Sequence, residues 1–157
     1  MKYHSIWEEN SDKKKYRKLK RNINVDVLII GGGITGISTA YFLRNTKLKV
    51  AVVESNEIGR GVTAKSTGKI TYLQGIIYSE LCKSYNFEVA KEYYYSQDLA
   101  ISLLRDIILT ENIECNLDKV KSVVFTENSE NIYKLKEEKE ILEKFGLRVS
   151  DKVFSNE

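Results

Sequence analysis

Gly31, Gly33 and Gly36 stand at the spacing G-x-G-x-x-G, and an acid, Glu54, follows 18 positions after the last of them. Residues of these types at this spacing can hold the ADP part of a dinucleotide. Gly31 permits a tight turn, Gly33 removes the side chain that would keep a pyrophosphate at a distance, and Gly36 lets the following helix lie close against the preceding strand. A helix beginning near Ile34 directs unpaired N–H groups and the positive end of its dipole at the diphosphate, so no lysine is needed there. Glu54 would accept hydrogen bonds from the ribose hydroxyls, and its charge would repel a 2′-phosphate, which disfavours NADP.

A second stretch carries chemistry of the same kind. Residues 55–69 hold Gly, Ser, Thr and Lys with no apolar period, too long a run for a plain turn between packed elements. Within it, Gly59, Gly61 and Gly68 let backbone approach a ligand, Thr63, Ser66 and Thr67 offer hydroxyls, and Arg60 or Lys65 can offset diphosphate charge. An NAD domain would turn from its second strand into another crossover helix. This loop in its place favours FAD.

The elements that must position these residues are legible as patterns. Residues 25–30 (VDVLII) are an almost continuous β-branched run, as expected for a parallel strand covered on both faces. Residues 34–44 have helical spacing, with Ile37, Ala40, Tyr41 and Arg44 on one face and Asn45 as a left-handed stop. Residues 48–53 (LKVAVV) read as the second buried strand. Strand, glycine turn, helix, strand and acid fall in the order that the dinucleotide fingerprint requires.

Beyond the loop, residues 78–85 suggest a short helix. Residues 88–110 suggest a long one, with Val89, Tyr93, Ala100, Leu103, Leu104, Ile107 and Ile108 recurring at three and four residues. Residues 120–126 (VKSVVFT) read as a strand. Ser129 is the expected N-cap of a charged helix reaching Phe145, with Ile132, Leu135, Leu142 and Phe145 as its stripe and Gly146 as its stop; residues 147–154 could begin another strand. The organisation expected is a polar lead-in over 1–24, a dinucleotide-binding βαβ unit and flavin loop over 25–77, and a helical region over 78–157.

Composition narrows the alternatives. The 157 residues suffice for one ordinary domain but are few for an enzyme holding both a dinucleotide and a substrate. With 25 Lys and Arg against 22 Asp and Glu, the net charge of +3 is too small and too dispersed to point to nucleic acid. The basic run 13–21 (KKKYRKLKR) reads as a solvated lead-in, to be pinned by Tyr16 and Leu19, and Trp7 is the one large apolar anchor before the first strand. Two cysteines, Cys82 and Cys115, and one histidine, His4, give no metal-ligand cluster, so no metal is expected and both thiols are expected to be buried or incidental. No signal peptide or membrane-length apolar stretch is visible, and a cytoplasmic protein is expected. Tyr93, Tyr94 and Tyr95 span most of a helical turn and cannot all face one ligand; core packing is the expectation for them. No residue stands out as catalytic.

Taken together, DVLIIGGGITGISTAYFL, the VVES that follows and GRGVTAKSTGKIT resemble the N-terminal part of the FAD-dependent oxidoreductases related to D-amino-acid, glycine and sarcosine oxidases. The early SIW, the TAKSTGKIT loop and ITYLQGIIYSEL are most similar to a bacterial branch whose members often carry a C-terminal Rieske domain. The resemblance covers about residues 5 to 110 and implies an α/β fold: a Rossmann-like, glutathione-reductase-type βαβ unit, with the start of an α+β substrate-covering region. It implies FAD as cofactor and an amine or amino acid as the small-molecule substrate. Carried over position by position, it implies cofactor contacts at Gly31, Gly33, Ile34, Thr35, Gly36, Glu54, Ser55, Gly61, Thr63, Lys65, Ser66, Thr67 and Gly68. Ile34 and Thr35 would offer backbone N–H groups, and residues 61–68 would pass the pyrophosphate and reach the isoalloxazine. Family members often have arginine where Lys65 stands, and a lysine lacks the bidentate fork. Full members are far longer, so the chain is expected to be an incomplete domain; the alternative to an oxidoreductase portion is a truncated, noncatalytic nucleotide-binding fragment, or one piece of a split protein that forms oligomers or is completed by a partner chain.

Overall fold

The computed structural model describes Ser5, Trp7 and residues 16–151. The chain divides into two compact units, one ending at Lys69 and one beginning at Ile70. His4, residues 13–15 of the basic run and residues 152–154 of the expected last strand lie outside the described residues.

In the first unit, β1 (Val27–Ile30) and β2 (Val50–Val53) pair in parallel, with Val27 opposite Val50 and Ile30 opposite Val53. The pairing opens at Asp26, whose N–H donates to Lys49 O (2.9 Å) and whose carboxylate accepts from Lys49 N (2.7 Å). Between the strands runs α1 (Ile34–Leu43), packed on both. A βαβ unit is therefore present, with two corrections. The strands are not covered on both faces: α1 covers one, while Leu28 and Ile30, the latter 83% exposed, point out of the other. Ile37 is also exposed rather than part of the buried helix face.

Asn45 does not close α1, since among the described non-glycine residues only Asn112 and Asn116 take positive φ. Backbone and side-chain donors close its last turn together. Arg44 Nη1 donates to Tyr41 O (2.9 Å) and Thr46 Oγ1 to Leu43 O (2.7 Å), adding to the backbone bonds that Arg44 N and Thr46 N make to the same two carbonyls.

The second unit is three helices around an aromatic core. α2 (Ile77–Ser84) packs on α3 (Phe87–Thr110) and on α4 (Ile132–Lys144). Tyr78, fully buried, meets Phe145 edge to face at 5.6 Å, and Tyr94 stacks on Phe145 at 5.3 Å; Ala90 and Leu142 complete the buried cluster. Such pairs contribute about 0.5–1.5 kcal/mol each beyond area burial. Tyr78 Oη donates to Tyr72 O (2.6 Å), and burial raises its ionisation far above the ordinary tyrosine range. Tyr72 and Leu73, which the sequence groups with the first unit, pack against this core.

Two of these helices begin at a side-chain acceptor. Asn86 Oδ1 accepts Val89 N (2.9 Å) at the start of α3. Ile76, at the N-cap of α2, has no side-chain acceptor, so one is imported: buried Glu138 of α4 accepts from Tyr78 N (3.1 Å) and Ser79 N (2.7 Å). Ser129 is not the cap expected of it. A 3₁₀ turn over Ser129–Asn131 precedes α4, and Asn128 Oδ1 accepts from Glu130 N (2.9 Å). α4 ends at Gly146, φ +92°, with Leu147 N donating to Leu142 O (3.1 Å).

Other expectations differ from the structure in the same unit. On α3 the buried residues are Ala90 and Tyr94, while Val89, Ala100 and Leu103 are exposed; the core reaches only the first two turns of that helix. On α4, Leu142 and Phe145 are buried but Ile132 is exposed. Residues 120–126 form no strand, and Val120 is 81% exposed, because no described segment offers a ladder of N–H and C=O groups to pair with. Residues 147–151 are likewise irregular, though Leu147 and Val149 pack on the core. Tyr94 is a core residue, whereas Tyr95 is half exposed. Cys82 is half-buried, with burial pushing its thiol up, and Cys115 is exposed.

Candidate functional site

The glycine turn is built by close approach of backbone. Gly31 takes φ +105°, which side chains disfavour, and its N–H donates to Val53 O (2.8 Å), tying the turn to the end of β2. A Cβ on Gly36 would lie 2.0 Å from Gly31 O, so only glycine lets α1 start this close to the turn. The acid is held from both sides. Glu54 Oε2 accepts from Gly32 N (2.7 Å), while Oε1 accepts from Asn56 N (2.9 Å) and Ser55 Oγ (3.1 Å). These bonds, Gly32 N–H foremost, lower the carboxyl pKa below the ordinary glutamate value, so Glu54 is a fixed anion. Three accepted bonds leave about one of the four lone-pair directions of a carboxylate for a ligand hydroxyl.

The loop meets the turn at two points. Gly59 N donates to Gly32 O (2.8 Å), and Thr63 Oγ1 accepts from Ile34 N (3.0 Å) at the start of α1. A hydroxyl that accepts from Ile34 still has its own proton to donate. The N–H groups of Gly33 and Thr35 meet no protein acceptor among the described residues. Free backbone donors at a helix start, a hydroxyl beside them and a fixed carboxylate at the far strand end form a donor and acceptor set that fits a diphosphate followed by a ribose.

Of the residues singled out in the sequence, Gly31, Gly33, Ile34, Thr35, Gly36, Glu54 and Thr63 are brought together. Ser55 serves Glu54. Gly61 has open space around it, and Lys65 and Thr67 are exposed, with no ion pair at Lys65 among the described residues. Ser66 and Gly68 face Trp7: the indole Nε1 donates to Ser66 O (2.7 Å), and a Cβ on Gly68 would lie 2.6 Å from the indole ring. Arg60 pairs with Glu57 (2.9 Å). Sequence reasoning passed over Gly32 and Ile58. A Cβ on Gly32 would meet Ile58 Cγ1 at 3.0 Å, and the unbroken GGG run was the available signal.

Among the described residues no helix is long and apolar enough to cross a membrane, and no three metal-ligating side chains gather. No solved structure matches the chain. It is 32% identical over 143 residues to a protein of Bacillus subtilis (strain 168) named as a Rieske 2Fe-2S iron-sulfur protein, YhfW, covering 91% of this chain and 28% of that one. It is 27% identical over 128 residues to the gamma-glutamylputrescine oxidoreductase of Escherichia coli (strain K12), covering 82% of this chain and 30% of that one. To the glycine oxidase of Bacillus licheniformis it is 44% identical over 45 residues, 29% of this chain and 12% of that one. The chain thus spans less than a third of the length of these relatives. The family described as FAD-dependent oxidoreductase matches residues 26–156, and with the glycine turn, the fixed acid and the donor-lined loop in place, the chain belongs to that family, whose cofactor is FAD.

Proposed function

We propose that the chain is the FAD-binding portion of an oxidoreductase that takes hydride from a carbon bearing an amine or amino-acid nitrogen. The observation that carries the reading is the joint built by Glu54, Gly32, Ile34 and Thr63, in which a fixed carboxylate and free helix-start donors lie on one connected turn. Bound FAD supplies the hydride acceptor, and the protein supplies position and electrostatics. In this reading the N–H groups of Gly33 and Thr35 and the Thr63 hydroxyl bind the diphosphate, while the Ile34 N–H, already bonded to Thr63 Oγ1, holds that hydroxyl in place. Glu54 accepts from the ribose, and Lys65, Ser66 and Thr67 carry the loop on toward the flavin. Ser55 acts at one remove, by holding Glu54.

The amine assignment draws on the relatives that match over most of the chain, one of which is named for gamma-glutamylputrescine. Glycerol-3-phosphate dehydrogenases also match, but over 62 residues, 37% of the chain. Anaerobic mixing of FAD-loaded protein with amines, amino acids and hydroxy compounds tests the assignment. Loss of the oxidised-flavin absorbance with an amine or amino acid, and not with glycerol phosphate, is the expected result; bleaching by the hydroxy compounds alone would overturn it.

A further inference from the structure

The loop that meets the glycine turn is held from a second side by a residue far from it in sequence. Trp7 is the single tryptophan of the chain, and its indole makes two contacts on the loop. Nε1, the one polar group the ring has, donates to Ser66 O at 2.7 Å. Gly68 lies under the ring at φ +71°, close enough that a Cβ would fall 2.6 Å from Cζ2 and 3.1 Å from Cη2. At the other end of the same loop, Thr63 Oγ1 accepts from Ile34 N at 3.0 Å. Residues 64–67 therefore run between two fixed points, one on the helix start and one under the indole. Lys65 and Thr67 stand between them, exposed.

We propose that Trp7 is a positioning residue for the cofactor loop, a clasp that sets the conformation of residues 63–68 before the cofactor arrives. The proposal rests on the reading that this loop takes FAD. A loop ordered in advance spends less of the binding free energy on its own ordering, so loss of the clasp weakens FAD binding without removing any group that touches FAD. Gly68 is glycine in part because the indole occupies the space a side chain would need. Trp7, ahead of β1 in sequence, then supports the cofactor site rather than standing by it.

The test uses the whole chain and three variants. Trp7→Phe keeps a ring over Gly68 and deletes only the donor to Ser66 O, Gly68→Ala leaves Trp7 intact and drives a methyl into it, and Trp7→Ala removes the clasp. FAD retention on ultrafiltration is measured for each. The account expects the dissociation constant to rise about two- to tenfold for Trp7→Phe and more for the other two. Without FAD, trypsin should cut at Lys65 and Lys69 faster in all three than in the unaltered chain, while cleavage within the second unit keeps its rate. Gly68→Ala should also shift the emission of the lone tryptophan to the red, as the indole moves into water. Equal FAD affinity and equal cleavage in Trp7→Phe and Gly68→Ala would overturn the clasp. Should the unaltered chain take up no FAD while the variants are cut faster, the cofactor reading fails and the clasp on the loop stands.

Discussion

Glu54 shows how one side chain can serve the fold while leaving a lone-pair direction for the proposed ribose contact. Its carboxylate is bonded to Gly32 N, Asn56 N and Ser55 Oγ, and the lowered pKa is the signature of those donors. A carboxyl whose folded-state pKa is depressed contributes stability that is present above the unfolded value and lost as the pH falls through the folded one. The difference in melting temperature between the unaltered chain and Glu54→Gln should therefore be constant above about pH 5 and shrink below about pH 4. A difference that ignored pH would mean that charge plays no part. The same variant should raise the FAD dissociation constant about tenfold, the weight of a charge-assisted hydrogen bond. Gly36→Ala sets a methyl into Gly31 O and should cost about 2–4 kcal/mol, read from the denaturant midpoint.

At the scale of elements, the βαβ unit was legible because each part carries its own signal: β-branched strands, a glycine turn that tolerates φ +105°, and an acid at the strand end. What was not legible depends on partners distant in sequence. Glu138 lies in a run of charged residues, KEEKE, that looks solvated, yet it is 4% exposed and caps α2 across 60 positions of chain. No local pattern announces an acceptor supplied by another helix. Asparagine at a left-handed stop was the right chemistry at the wrong helix, for it is Asn112 after α3 that takes φ +50°. Residues 120–126 have strand propensity, and propensity without a neighbouring edge makes no strand. Glu138→Ala should leave two buried N–H groups unpaired and lower stability by about 3 kcal/mol, with Glu138→Gln intermediate. Lys83→Ala, which breaks the exposed ion pair with Glu137, should leave the denaturant midpoint where it was.

At the scale of the whole molecule, apolar side chains stand in water in both units: Leu28 and Ile30 on the open face of the sheet, Val120, Val123 and Phe125 in the segment after α3. Surface of this kind associates. Replacing Val120 and Phe125 with serine should raise the concentration at which the chain stays monodisperse, with no fall in melting temperature, as light scattering and a thermal scan would show. The family and the cofactor follow from the match over residues 26–156 together with the site, while the use of these residues toward FAD is the central claim. Parallel titration with FAD and with NAD, followed by thermal unfolding, tests it most directly. Saturable binding of FAD is predicted, with stabilisation approaching about 2.7 kcal/mol at a hundredfold excess over the dissociation constant and no comparable effect of NAD. Melting unchanged by excess FAD, or raised only by NAD, would contradict the account.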